Sequence, residues 1–329
     1  MDAERKEHLS VLPSRRLPCR TRRSVTVVAV ALLLAAGACG GGKDHPAAKP
    51  AGVKGKIDRS VDAAVAAPGS GGTDGLPADA GPGGTTTVPA GGSTAGPAPS
   101  GGAPSAPPGP VATSELDGFL DALAAPDYQR AAEATIGPAQ YFVFIRSLLA
   151  ADADSKQTRT VYRYVGRSFT LAGSSGNRTH FSGRAVLHGT ATFADGHRLE
   201  TSEELADVVV QTTASGPRVV DFQYQGRPLA LAPGGATQTL RSGTKVRMVG
   251  ALSQGDATIV TVQFLGSGAA SLNMEAPRLV YPDGEAVPAA RALVGSYVYV
   301  AFARRDGPTA FSARVTINGG EPEAVRLGF

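Results

Sequence analysis

The stretch Phe181-Ser182-Gly183-Arg184-Ala185-Val186-Leu187-His188-Gly189-Thr190-Ala191-Thr192-Phe193 sets Phe181, Gly183, Ala185, Leu187, Gly189, Ala191 and Phe193 at every second position. Side chains of a strand point alternately to opposite faces, so this period predicts one long strand with a single apolar face. Asp195-Gly196 then predicts a turn. Further strands follow near 198–203 and 206–212, and a last one over 218–224 sets Val220, Phe222 and Tyr224 on one side.

Upstream the period is helical. Ser114 reads as an N-cap with Asp117 three residues on, and Leu116, Phe119, Leu120 and Leu123 follow at i, i+3, i+4 and i+7. A second helix is expected near Pro126. A third is expected from Pro138, after Gly137, with Tyr141, Phe144, Ile145 and Leu148 on one stripe. Helices followed by a meander of long antiparallel strands predict an α+β unit over residues 113–229.

Beyond Ala230 the chain reads as all-β. Phe311, Ala313, Val315 and Ile317 alternate with polar residues, as do Val260, Val262 and Phe264, and Val298, Val300 and Phe302; Pro282-Asp283-Gly284 supplies a turn. A sandwich of about seven or eight strands over 230–329 is the expected solution.

The N-terminal part reads as export and attachment. A basic region with Arg15, Arg16, Arg20, Arg22 and Arg23 precedes an apolar run from Val25 to about Ala36. That run is too short for a bilayer core, which takes about 20 helical residues, so residues 1–38 are expected to be a removable leader. The run Leu34-Ala35-Ala36-Gly37-Ala38-Cys39 resembles a bacterial lipoprotein signal, with Ala36 where Leu is commoner. The resemblance implies cleavage after Ala38 and acyl chains on Cys39, and two or more chains hold a protein at a membrane lastingly. Thr21-Arg22-Arg23-Ser24-Val25 is similar to a twin-arginine signal and equally fits a general secretory one. The expected location is the extracytoplasmic face of a bacterial cell membrane.

The leader carries seven of the chain's 32 basic residues and three of its 28 acidic ones, which leaves 25 of each in the remainder. A neutral protein lacks the basic surface that phosphate backbones require, so no nucleic-acid partner is expected. Of the two cysteines, Cys19 leaves with the leader and Cys39 takes lipid, which leaves none for a disulfide.

Residues 39–112 are dominated by Gly, Pro, Ala, Ser and Thr, and the first aromatic residue of the chain is Phe119. So little apolar surface cannot offset the entropy of ordering, and a disordered tether is expected. About 70 flexible residues span roughly 45–50 Å. Lys43, Lys49, Lys54 and Lys56 read as a solvated charge run.

The α+β segment resembles the NTF2-like cone, a curved antiparallel sheet wrapped on helices. Phe193-Ala194-Asp195-Gly196-His197-Arg198, Asp207-Val208-Val209-Val210 and Arg218-Val219-Val220-Asp221-Phe222 carry that resemblance to actinobacterial lipoproteins of this kind. The following segment, through Arg278-Leu279-Val280-Tyr281-Pro282-Asp283-Gly284 and Val298–Phe302, resembles immunoglobulin-like domains of bacterial surface lipoproteins. The resemblance implies a cone whose mouth holds a small molecule or serves for docking.

Candidate chemistry is sparse. His180 and His188 lie on one strand face about 26 Å apart, at ~3.3 Å per residue, too far to share a metal. A single-His site with Glu200 or Glu203 is weaker than an exposed histidine, and Asp152 and Asp154 read as solvated acids at a helix end. Asp221 or His180 would serve an enzyme only if its face lined a cavity. No Gly-x-Ser-x-Gly nucleophile elbow is present. The expectation is therefore a non-catalytic, lipid-anchored binding or scaffold protein without cofactor, metal or catalytic residues. It would recognise another surface protein, a wall polymer or a small apolar ligand. The alternative is a hydrolase or isomerase working in the cone.

Overall fold

The computed structural model describes residues 53–56, 111–156, 158–266 and 271–329. The leader, Cys39 and all of the expected tether except 53–56 and 111–112 lie outside the described residues.

Three helices come first: α1 (Val111–Ala124), α2 (Tyr128–Glu133) and α3 (Gly137–Ser155). Leu116, Phe119, Leu120 and Leu123 of α1 are all buried, as their spacing predicts. Ser114 is no N-cap, because α1 begins earlier and Ser114 lies inside it. The Asp127 side chain caps α2 by accepting from the Arg130 N–H at 3.1 Å. Gly137 has φ of +58°, a left-handed conformation that glycine adopts without a Cβ clash, and Pro138 pre-sets the first turn of α3. The α2–α3 junction is tied to a strand, with Ile136 N–H donating to Val219 O and Val219 N–H to Ala134 O, both at 2.9 Å.

The first sheet has the order β2-β3-β4-β5-β6, all antiparallel: β2 (Arg159–Ser175), β3 (Arg178–Thr192), β4 (Arg198–Thr213), β5 (Gly216–Tyr224) and β6 (Arg227–Pro228). Phe181, Ala185, Leu187 and Ala191 of β3 are buried as the alternation requires. The segments near 198–203 and 206–212 form one strand, β4, with a register shift between Phe181 and Arg184 of its partner. A bulge inserts a residue and turns side chains over without ending a strand. Similar shifts against β5 bury Val219, not Val220, beside Phe222 and Tyr224.

Eleven further described strands make two more sheets. The middle sheet runs β13 (Pro288–Val294), β14 (Tyr297–Ala303), β10 (Ala257–Leu265), β9 (Lys245–Gln254) and β7 (Ala230–Pro233), with β8 (Thr237–Thr239) also on β9. The outer sheet runs β1 (Val53–Lys56), β11 (Ser271–Tyr281), β15 (Ala310–Ile317) and β16 (Glu323–Gly328), with β12 (Gly284–Ala286) also on β11. Val260, Val262, Phe264, Val298 and Val300 face Leu279, Phe311, Val315, Val325 and Leu327 in one apolar core between these sheets. The expected sandwich is thus larger than seven or eight strands. It also recruits Val53–Lys56 from the expected tether, paired antiparallel with residues 271–274.

The α+β cone is overturned. Strands make up 61% of the interpretable residues and helices 17%, in three helices, and no helix-packed cone of the NTF2-like kind is present. The helices are instead covered from two sides. Tyr141, Phe142, Val143, Phe144 and Ile145 are five consecutive buried residues of α3. A helix apolar all round must be buried all round. Its core contains Phe181, Leu187, Leu205 and Phe222 from the first sheet together with Leu252, Ile259, Tyr297 and Tyr299 from the middle sheet. Phe144 meets Tyr297 edge-on at 5.4 Å, and Phe142 meets Phe222 at 5.0 Å. The layers are therefore first sheet, helices, middle sheet and outer sheet. Residues from either side of Ala230 thus meet in one apolar core around α3.

Candidate functional site

A cavity of about 450 Å³ opens where the C-terminal half of α3 passes the first sheet and the middle sheet. Residues 149–154 of α3 form one wall, and Thr160, Tyr162, Glu203 and Tyr224 from β2, β4 and β5 form another. Tyr128 enters from α2 and Tyr299 from β14. The volume suits a small organic molecule.

Arg146 and Glu203 form an ion pair in this wall, their side chains 14% and 9% exposed. The arginine carbon lies 5.5 Å from the ring centres of both Phe142 and Tyr162, so its guanidinium is also held by aromatic faces. Burial alone would lower the Arg146 pKa, but the Glu203 carboxylate holds it well above its ordinary value. Arg146 therefore stays a cation in a desolvated setting.

A second cluster involves Asp152. Its carboxylate accepts a hydrogen bond from the Tyr299 hydroxyl at 2.9 Å and is paired with Lys156 Nζ at 2.7 Å. Asp152 is buried, contrary to the expectation of a solvated acid; Asp154 is exposed. Asp152 continues the stripe of Tyr141, Ile145 and Leu148 at helical spacing and meets Tyr299 of β14, whose sheet covers that side of α3.

Four phenols border the cavity. Burial pushes Tyr128 up to about 12 and raises Tyr162, Tyr224 and Tyr299 as well, the last helped by the nearby Asp152 carboxylate. All four are protonated at neutral pH. The Arg146 guanidinium lies over the Tyr162 ring, and its charge opposes the rise that burial gives that phenol.

A missing side chain makes the wall possible. A Cβ on Gly189 of β3 would lie 2.6 Å from Thr201 Oγ1 and 2.7 Å from the Tyr162 ring, so only glycine lets that ring lie across the sheet. The alternation that marks β3 as a strand also marks this glycine as a core-facing position.

The residues singled out from sequence mostly lie elsewhere. His180 is exposed and His188 half-buried, on β3 outside the cavity lining. Asp221 is half-buried, and burial raises its pKa, but it accepts the Phe222 N–H at 2.8 Å and does not line the cavity. Glu200 accepts the Thr190 hydroxyl at 3.0 Å. Glu203 does belong to the site, with Arg146 as its partner instead of a histidine. Sequence reasoning passed over Arg146, Tyr128, Tyr162, Tyr224 and Tyr299. Arg146 carries the one usable signal, a charge inside an otherwise apolar helical run.

Among the described residues no group of three or more His, Cys, Asp or Glu could hold a metal ion, and no helix is long and apolar enough to cross a membrane. No family model and no curated protein matches the chain. Among solved structures, a "putative aromatic ring hydroxylase" from Novosphingobium aromaticivorans is similar over 35% of this chain and 85% of its own, with 11% identity and a TM-score of 0.26. A likeness at that level carries no argument about this chain.

Proposed function

We propose that the protein is a non-catalytic binding protein, attached at the outer face of a bacterial membrane by lipid on Cys39, and that it takes a small organic molecule in the cavity beside α3. The observation that supports this reading is the pairing of the buried acids. Glu203 is engaged by Arg146, and Asp152 by Lys156 and Tyr299. Each carboxylate already faces a cation through one of its oxygens, Glu203 Oε2 to Arg146 and Asp152 Oδ2 to Lys156, which disfavours its use as a general base or nucleophile. The phenols, raised by burial, are poor bases and are suited to fixing a ligand by hydrogen bonds. Attachment rests on the lipoprotein-like run that ends at Cys39.

The test is uptake of Nile red, a neutral dye that brightens in apolar surroundings, by the full chain and by Ala150→Trp. Ala150 lines the cavity, and an indole there fills it. The expected result is dye binding that weakens at least about tenfold in Ala150→Trp. Equal binding by both proteins, or none by the wild type, would overturn the reading.

A further inference from the structure

We infer that the cavity selects a neutral ligand carrying a hydrogen-bond acceptor such as a ketone or amide carbonyl, held by the phenol protons of Tyr128, Tyr162 and Tyr224. This deepens the small-molecule reading given above and rests on it.

Three observations lead there. First, the donors outnumber the open acceptors. Tyr128, Tyr162 and Tyr224 line the cavity, and no hydrogen bond joins their hydroxyls to an acceptor among the described residues. The Glu203 carboxylate, which bears on all three phenols electrostatically, is engaged by Arg146 through Oε2. A ligand oxygen would take the place of water on these hydroxyls.

Second, the lining does not favour an anion. It contains Arg146 and Lys156 against Asp127, Asp152, Asp154 and Glu203, an excess of two negative charges, and both cations already face carboxylates. A carboxylate ligand would lose its hydration without gaining an unshared cation. Third, the charge excess alone would admit an ammonium group, but an ammonium only donates and would leave the phenol protons without an acceptor. A neutral acceptor on a flat apolar body meets all three conditions, with the tyrosine rings and Leu149 against its carbon skeleton.

The experiment compares three molecules of one shape with the full chain by calorimetry: 2-acetylnaphthalene, 2-ethylnaphthalene and 2-naphthoate, with Nile red as the check on the cavity. The ketone is expected to bind about tenfold or more tighter than the hydrocarbon and tighter than the carboxylate. Tyr128→Phe, Tyr162→Phe and Tyr224→Phe should each weaken the ketone by about threefold to tenfold and leave the hydrocarbon unchanged, which also shows that the variants fold. Hydrocarbon affinity equal to that of the ketone, or tightest binding of the naphthoate, would overturn the acceptor inference while Nile red binding keeps the cavity reading. Loss of Nile red and all three molecules alike would overturn both.

Discussion

Tyr299 of β14 donates its phenol proton to the Asp152 carboxylate of α3 at 2.9 Å, from a position 147 residues further along the chain. This bond joins the middle sheet to the helix layer inside the cavity wall. Lys156, one turn on, pairs with the same oxygen, Oδ2.

Tyr299→Phe removes a donor to a buried carboxylate and leaves the ring in place. The expected loss is about 1.5–3 kcal/mol, read from the urea unfolding midpoint at constant m. A change within about 0.5 kcal/mol would mean that the bond contributes nothing net.

The Arg146–Glu203 pair should show the asymmetry of buried ions. Arg146→Met alone strands the Glu203 charge and should cost about 3–5 kcal/mol. The double variant Arg146→Met, Glu203→Leu should cost less than either single change, which a double-mutant cycle would measure as strong coupling. Additive losses would contradict a desolvated pair.

Alkaline pH supplies a third check. Burial raises Tyr128 to about 12, and raises Tyr162, Tyr224 and Tyr299 too, above the free phenol value of 10.0. Below pH 10 the phenols are neutral in both folded and unfolded chains, and the stability associated with them is fully present. Above pH 10 the unfolded chain loses these protons first, so stability should fall from pH 10 through about 12. Urea titrations at pH 8, 10 and 11 would show it, with phenolate absorbance as a parallel reading; stability flat over that range would refute the burial of these rings.

Gly189→Ala places a methyl group where the Tyr162 ring lies. The ring must leave the cavity wall, with a cost of about 1–3 kcal/mol and weaker Nile red binding. Unaltered binding would show that Tyr162 is not held by the sheet.

Cys39→Ala should release the protein from the membrane fraction or leave its leader uncleaved. Unchanged processing and retention would refute lipid attachment.

The strands of this fold are legible because alternation over β3 and β15 leaves only one way to bury their apolar faces, whereas β10 and β14 are buried on both, Ile259, Tyr297 and Tyr299 towards α3 and Val260, Val298 and Val300 towards the outer sheet. What covers α3 is less so. Tyr141, Phe144, Ile145 and Leu148 give a clear stripe, but Phe142 and Val143 beside them carry the opposite signal, an apolar helix surface with two covers. Taking the stripe alone yields a separate helix-on-sheet unit; taking the whole run yields the layered stack. The site was hidden for a related reason. Arg146, Glu203 and Tyr299 are far apart in sequence and meet only because both sheets close on one helix, which no local period records. Register shifts such as those beside Val219 add to this, since each changes which alternate residue faces inward.

The pairing of Val53–Lys56 with β11 also sets a reach. Counted from Cys39, the folded body is joined after 14 residues instead of 72, because Val53, not Val111, is the first described residue fixed to it. Fully extended, 14 residues cover at most about 46–50 Å, against about 240–260 Å for 72. A lipid on Cys39 would therefore keep the outer sheet within about 46–50 Å of the bilayer. The chain would work as a short mooring, and its ligand would be met near the membrane surface.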